Sequence, residues 1–124
     1  MTLKPKVLVL DEDLLALELY SRELGEDYWV FTSESVAETR KFLQTDSFDV
    51  LVMEPAVNED EGWGLLSEIH SSQNSLSVVL CSVEDDRKGG LENGALAFMV
   101  KPVLPTALHF MLDQIIARRF PKTV

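Results

Sequence analysis

A single cysteine, Cys81, is all the sulfhydryl chemistry that 124 residues offer. That excludes an internal disulfide and any metal site built from several cysteines. A lone thiol inside an apolar stretch is expected to be buried and inert, which fits a reducing, cytoplasmic setting. Long apolar runs are missing as well. The first, Val7 to Leu10, is far too short for the core of a signal peptide or for a membrane span. Positive charge is scarce, with 11 Lys and Arg against 21 Asp and Glu, a net charge of −10. Such a surface disfavours direct binding to nucleic acid or to anionic membrane. A protein partner or a cation suits it better. No repeat, low-complexity tract or Pro/Gly-rich linker interrupts the chain, so a single domain over 1–124 is expected. That length buries an independent core without staples.

What is present is alternation. KVLVL (6–10) is a short apolar run rich in branched residues, as suits a strand buried on both faces. DEDLLALELYSREL then sets Leu14, Leu17, Ser21 and Leu24 at helical spacing, with Leu15 and Leu19 beside them. Its acidic start complements the helix dipole, and Gly25 marks a stop. YWVFT (28–32) is a second strand. Ser33 and Ser35 are both cap candidates, and Ser35 with Glu38 fits a capping box, for a helix to about Gln44 that buries Val36, Ala37, Phe42 and Leu43. DVLVM (49–53) is a third strand, followed by a helix over 62–72 with Leu65, Leu66 and Ile69 inward. LSVVLCS (76–82), a polar weak helix over 83–94, and AFMVK (97–101) continue the series. Leu104, Leu108, Met111, Leu112, Ile115 and Ile116 close it as an amphipathic helix. The pattern predicts an α/β fold, (βα)5, a doubly wound five-stranded parallel sheet with helices on both faces. The C-terminal RRFPKTV fits a natural end or the start of a linker to an output domain.

In such a sheet, chemistry gathers at the carboxyl ends of the strands. Strand one delivers Asp11, Glu12 and Asp13; strand three delivers Glu54; strand four delivers Ser82; strand five delivers Lys101 and then Pro102. Clustered carboxylates such as Asp11, Glu12 and Glu54 repel one another and become tolerable when Mg²⁺ takes their oxygens. The acids after strand one also have a simpler use, capping the first helix electrostatically. A hydroxyl and an ammonium opposite them suit phosphoryl oxygens, and a carboxylate between metal and lysine can accept a phosphoryl group.

These residues, in this order, resemble the receiver domain of bacterial two-component response regulators, a CheY-like, flavodoxin-like fold. VLVLDED resembles the first strand and its acidic pair, Asp11 and Glu12. DVLVMEPAVNEDEG has the family's length from the third strand to Gly62. VVLCS puts Ser82 at the hydroxyl position, and NGALAFMVKPV carries Lys101 and Pro102, with Phe98 at the place of the switch aromatic. The departures are equally specific. The family's phosphoacceptor is an aspartate, and the matching residue is Glu54. Pro55 replaces a bulky apolar residue, and Asn58 replaces the loop proline.

The extra methylene lengthens the side chain by about 1.5 Å. Misplacement on that scale costs a nucleophile about a hundredfold in rate. It also moves the carboxylate toward the space of phosphoryl oxygens, where Lys101 or Ser82 lie in reach. A carboxylate supplies one negative charge against about 1.5–2 for a phosphate group. The resemblance therefore implies a pseudo-receiver, phosphorylation-independent or partly phosphomimetic, whose partner is a sensor kinase, an output domain or a downstream signalling protein. The plainer alternative is a retired site in which Glu54 merely pairs with Lys101.

Other readings compete. VLVLDED also resembles the nucleophile motif of haloacid-dehalogenase phosphatases, with Asp11 as nucleophile and Asp13 as acid. Leu15, the lack of room for a cap domain and the missing late acidic motif oppose that reading. A flavodoxin-like cofactor site fails because Asp11 to Asp13 would repel phosphate. A conventional receiver accepting phosphate on Glu54 or Asp60 is a further alternative. Ser82 has a bland use as a strand-end or cap hydroxyl, and Phe98 one as a packed aromatic. His70, His109 and Trp63 have structural roles as their default.

Overall fold

The computed structural model describes residues 4–72 and 75–119; the last part of RRFPKTV lies outside them. Five strands and five helices alternate: β1 (Lys6–Leu10), α1 (Leu14–Leu24), β2 (Trp29–Ser33), α2 (Val36–Thr45), β3 (Val50–Met53), α3 (Val57–Ser71), β4 (Ser77–Ser82), α4 (Arg87–Glu92), β5 (Ala97–Val100) and α5 (Pro105–Arg119). The strands form one parallel sheet in the order β2-β1-β3-β4-β5. The order reverses direction between β1 and β3, which is where an open α/β sheet opens a crevice.

Period-two alternation splits the strand residues between two cores. Leu8, Leu10, Leu51, Met53, Val78, Leu80 and Phe98 face Val36 of α2 and Leu65, Leu66 and Ile69 of α3. Val7, Val9, Val50, Val52, Val79 and Cys81 face Leu17, Tyr20 and Leu24 of α1 and Leu108, Leu112 and Ile115 of α5. The central strands are thus buried on both sides, which explains their unbroken branched runs. Cys81 is buried, and burial pushes its thiol up to about 12.

Several expected positions shift. α1 begins at Leu14, so the acids precede its first turn, and Asp13 is the cap. Its side chain accepts the N–H groups of Leu15 and Ala16. Leu14, Leu15 and Leu19 are exposed, while Tyr20 is buried. Gly25 ends α1 in right-handed backbone, φ −65°, so its lack of a side chain is not needed for a left-handed cap. Ser35 Oγ does accept from Glu38 N at 3.1 Å. On α2, however, Ala37 faces solvent and Thr39 is buried, because Thr39 Oγ1 donates to Ser33 Oγ at 2.9 Å and so brings a satisfied hydroxyl inside. α4 is shorter than its polar sequence suggested, starting after an Asp86 cap. Leu104 lies before α5 rather than on it and is exposed.

Candidate functional site

Ladder hydrogen bonds run past the strand ends and fix the residues that follow. Leu10 of β1 is in register with Met53 of β3, and Glu54 N donates to Leu10 O at 3.0 Å. Asp11 N donates to Ser33 O at 3.1 Å, and Lys101 N to Ser82 O at 2.8 Å. Asp11, Glu54, Ser82 and Lys101 are therefore placed by backbone pairing at one edge of the sheet.

The side chains of three of them meet. Lys101 Nζ lies 2.8 Å from Asp11 Oδ2 and 3.1 Å from Glu54 Oε1. Asp11 and Glu54 are only 5% and 8% exposed. Carboxylates so buried are tolerable only when paired and hydrogen-bonded, and both are. Asp11 Oδ1 accepts Asp13 N at 3.0 Å, and Glu54 Oε2 accepts Ala56 N at 3.2 Å. Burial pulls the Lys101 ammonium's pKa down, but the hydrogen bonds it donates to Asp11 and Glu54 outweigh it and leave the pKa above its ordinary value. The lysine is a fixed cation between two anions.

The other residues named from sequence stand around this core. Glu12 is exposed, and its Oε1 accepts Asn58 N at 2.7 Å. Ser82 is buried at the end of β4 and joins the group through its carbonyl. Phe98 is buried against α4, where a Cβ on Gly90 would come within 2.9 Å of its ring and of Leu80. Pro102 is exposed and follows a cis peptide bond. Asp13 is spent on capping α1. A cleft of about 390 Å³ opens beside Lys101, with Asp13, Leu15, Tyr20, Val83 and Pro102 on its walls.

The loop after Glu54 departs from right-handed backbone. Asn58, Glu59 and Asp60 have φ of 51°, 56° and 70°, a left-handed turn set within α3. The right-handed part of α3 begins after Asp60, beside the expected start at Gly62, and the left-handed turn joins it to Val57. Asn58 Oδ1 accepts Val36 N at 2.9 Å, which ties the loop to the start of α2. Gly62 packs so closely on Pro55 that a Cβ there would fall 2.5 Å from the Pro55 carbonyl. The signal available beforehand was residue type, since Asn and Asp are enriched at positive φ.

The model of the response regulator receiver domain family matches residues 7–113, from β1 into α5. The chain belongs to that family. Transcriptional regulatory protein GlrR of Escherichia coli is 29% identical over 121 residues, covering 94% of this chain and 27% of its own length. Transcriptional regulatory protein CssR of Bacillus subtilis is 30% identical over 112 residues, covering 88% of this chain and 49% of its own. The receiver thus spans half or less of these two relatives. Among solved structures, the Francisella response regulator 1452 receiver domain superposes with a TM-score of 0.88 at 22% identity, covering 94% of this chain and 99% of that one. The BeF3-activated DrrB receiver domain gives 0.85 at 23% identity, covering 94% and 100%. These two likenesses concern the fold.

Receiver domains are generally non-enzymatic signalling modules that interact with kinases and output domains, and they generally bind Mg²⁺ at the phosphorylation site. The phosphatase alternative is not supported, because the matched family is another one and Asp13 is engaged as a helix cap. No helix among the described residues is long and apolar enough to cross a membrane.

Proposed function

We propose that this receiver is an atypical one, a pseudo-receiver in which Glu54 stands at the phosphoacceptor position. It acts in the cytoplasm as a phosphorylation-independent, partly phosphomimetic module for a protein partner: a sensor kinase, an output domain or a downstream signalling protein. The observation that carries this reading is the bridge from Lys101 Nζ to Glu54 Oε1 at 3.1 Å. A phosphorylated acceptor offers its lysine an anionic oxygen beyond the carboxylate carbon. The longer Glu54 side chain offers one already, with one charge in place of about 1.5–2. The same pairing takes the nucleophile out of position for in-line attack, where small displacements are costly. Phe98, buried next to Gly90, supports a fixed state of the neighbouring surface. Exposed Leu14, Leu15, Val83 and Leu104 near the cleft offer apolar contact to a partner.

The test is phosphoryl uptake. The purified chain incubated with acetyl phosphate and Mg²⁺ is expected to show no mass increase of a phosphoryl group. Glu54→Asp is expected to gain one, at a rate at least tenfold above the parent. Stable labelling of the parent chain on Glu54 would overturn the proposal.

A further inference from the structure

The carboxylates at the sheet edge are already coordinated by the protein itself. Asp11 gives one oxygen to Asp13 N and the other to Lys101; Glu54 gives one to Lys101 and the other to Ala56 N. Glu12 gives Oε1 to Asn58 N at 2.7 Å, the shortest of these bonds. A cation would have to compete with an ammonium held between Asp11 and Glu54, and with the backbone N–H that already holds one oxygen of Glu12. Among the described residues no three His, Cys, Asp or Glu side chains are grouped to hold a metal ion. In this arrangement the donor set does not fit Mg²⁺.

The bond that Glu12 makes has its own consequence. Its partner is the first of three consecutive residues at positive φ, none of them glycine. Such backbone costs about 1–2 kcal/mol per residue and persists only where its surroundings hold it. Asn58 is held at both ends of the residue: its N–H by Glu12, from the β1–α1 loop, and its Oδ1 by Val36 N, from the start of α2. Glu12 is thus the link between the acidic edge and the strained turn.

We infer that Glu12 in this chain is a positioning residue that anchors the left-handed turn through Asn58 N–H, and that Lys101 takes the place of the divalent cation between Asp11 and Glu54. The pocket then keeps its shape whether or not Mg²⁺ is supplied. The inference rests on the pocket being a receiver site, but not on Glu54 being a poor acceptor. Acetyl phosphate labelling decides that second point independently.

Amide NMR of the whole chain tests it, with MgCl2 alone as the titrant and MnCl2 as a paramagnetic probe. Millimolar Mg²⁺ is expected to leave the amides of Glu54 and of Asn58 to Asp60 unmoved, and Mn²⁺ to leave them unbroadened. Glu12→Gln keeps a carbonyl acceptor without the charge, so its Asn58 amide is expected at the parent position. Glu12→Ala is expected to displace that amide and to lower the thermal midpoint. A saturable Mg²⁺ shift at these amides, lost in both variants, would overturn the inference. So would an Asn58 amide that stays in place in Glu12→Ala. Should Glu12→Ala fail to fold, the parent titration and Glu12→Gln decide the matter.

Discussion

Lys101 faces two carboxylates at once, and all three groups are largely out of water, with the lysine side chain 18% exposed. An ion pair of this kind adds little net stability when intact, because desolvation offsets attraction. Its removal is another matter, since Lys101→Met leaves Asp11 and Glu54 buried, alike in charge and without a counter-ion. We expect that variant to lose about 3 kcal/mol, measured as a lower urea midpoint at unchanged m-value. A loss below about 0.5 kcal/mol, the range of an exposed pair, would mean that Lys101 does not hold the edge together. Glu54→Gln is the milder change, because an amide oxygen still accepts from Lys101 while one of the competing charges is gone. At this scale the sequence was informative about identity and silent about pairing. Asp11, Glu54 and Lys101 were legible as strand-end residues of the right types. That Glu12 would bond Asn58 N depended on a loop conformation that the Asn and Asp of the loop permit but do not fix.

Elements were legible where hydrophobic period decided them and illegible where backbone conformation did. The buried strands and the inward faces of α3 and α5 follow from runs and spacings, because burial of apolar surface dominates there. Leu104 and Ala37 were misplaced for a different reason. Both are apolar residues at element ends, where the chain turns before the period can be satisfied; on α2 the hydrogen-bonded hydroxyl of Thr39 takes the inward position instead. The turn at Asn58, Glu59 and Asp60 was missed because positive φ is usually announced by glycine, and the glycine of this loop, Gly62, serves close packing on Pro55. The turn gives two contrasting expectations. Asp60 has φ 70° and is exposed, so Asp60→Gly removes the left-handed penalty and is expected to stabilise by about 1 kcal/mol. Asn58→Gly removes a similar penalty but also the oxygen that receives Val36 N, a loss of about 1 kcal/mol for a helix start. The two effects should nearly cancel. Equal stabilisation of both variants by chemical denaturation would show that Asn58 Oδ1 does not hold α2.

Across the whole molecule, a net charge of −10 makes each positive group on the surface a local organiser. His109 of α5 is one. It is only half-buried, and it packs edge-on against Tyr28 with ring centroids 5.7 Å apart. Glu23 of α1 lies 3.5 Å from Nδ1; Asp27, from the α1–β2 connection, lies 2.8 Å from Nε2, and Asp113, one turn along α5, lies 3.5 Å from it. The Asp27 contact is close in distance yet poorly aligned, since Nε2 makes no hydrogen bond of good geometry. We therefore take it as charge attraction. Burial lowers the His109 pKa, but Glu23, Asp113 and Asp27 together outweigh it, and the net shift is upward from 6.5. A group whose pKa is raised by folding binds its proton more tightly in the folded chain. Its contribution is complete below about 6.5, the unfolded value, and is lost as pH rises through the folded value. The Glu23 and Asp27 pairs join α5 to α1 and to the α1–β2 connection, so their loss weakens the seam between the first and last helices. Each is partly exposed and worth on the order of 0.3–1 kcal/mol. The thermal midpoint of the parent chain should then fall from pH 6 to pH 9 more steeply than that of His109→Gln, and added salt should narrow the difference. Parallel pH profiles for the two chains would show that the imidazole does not carry charge into this seam.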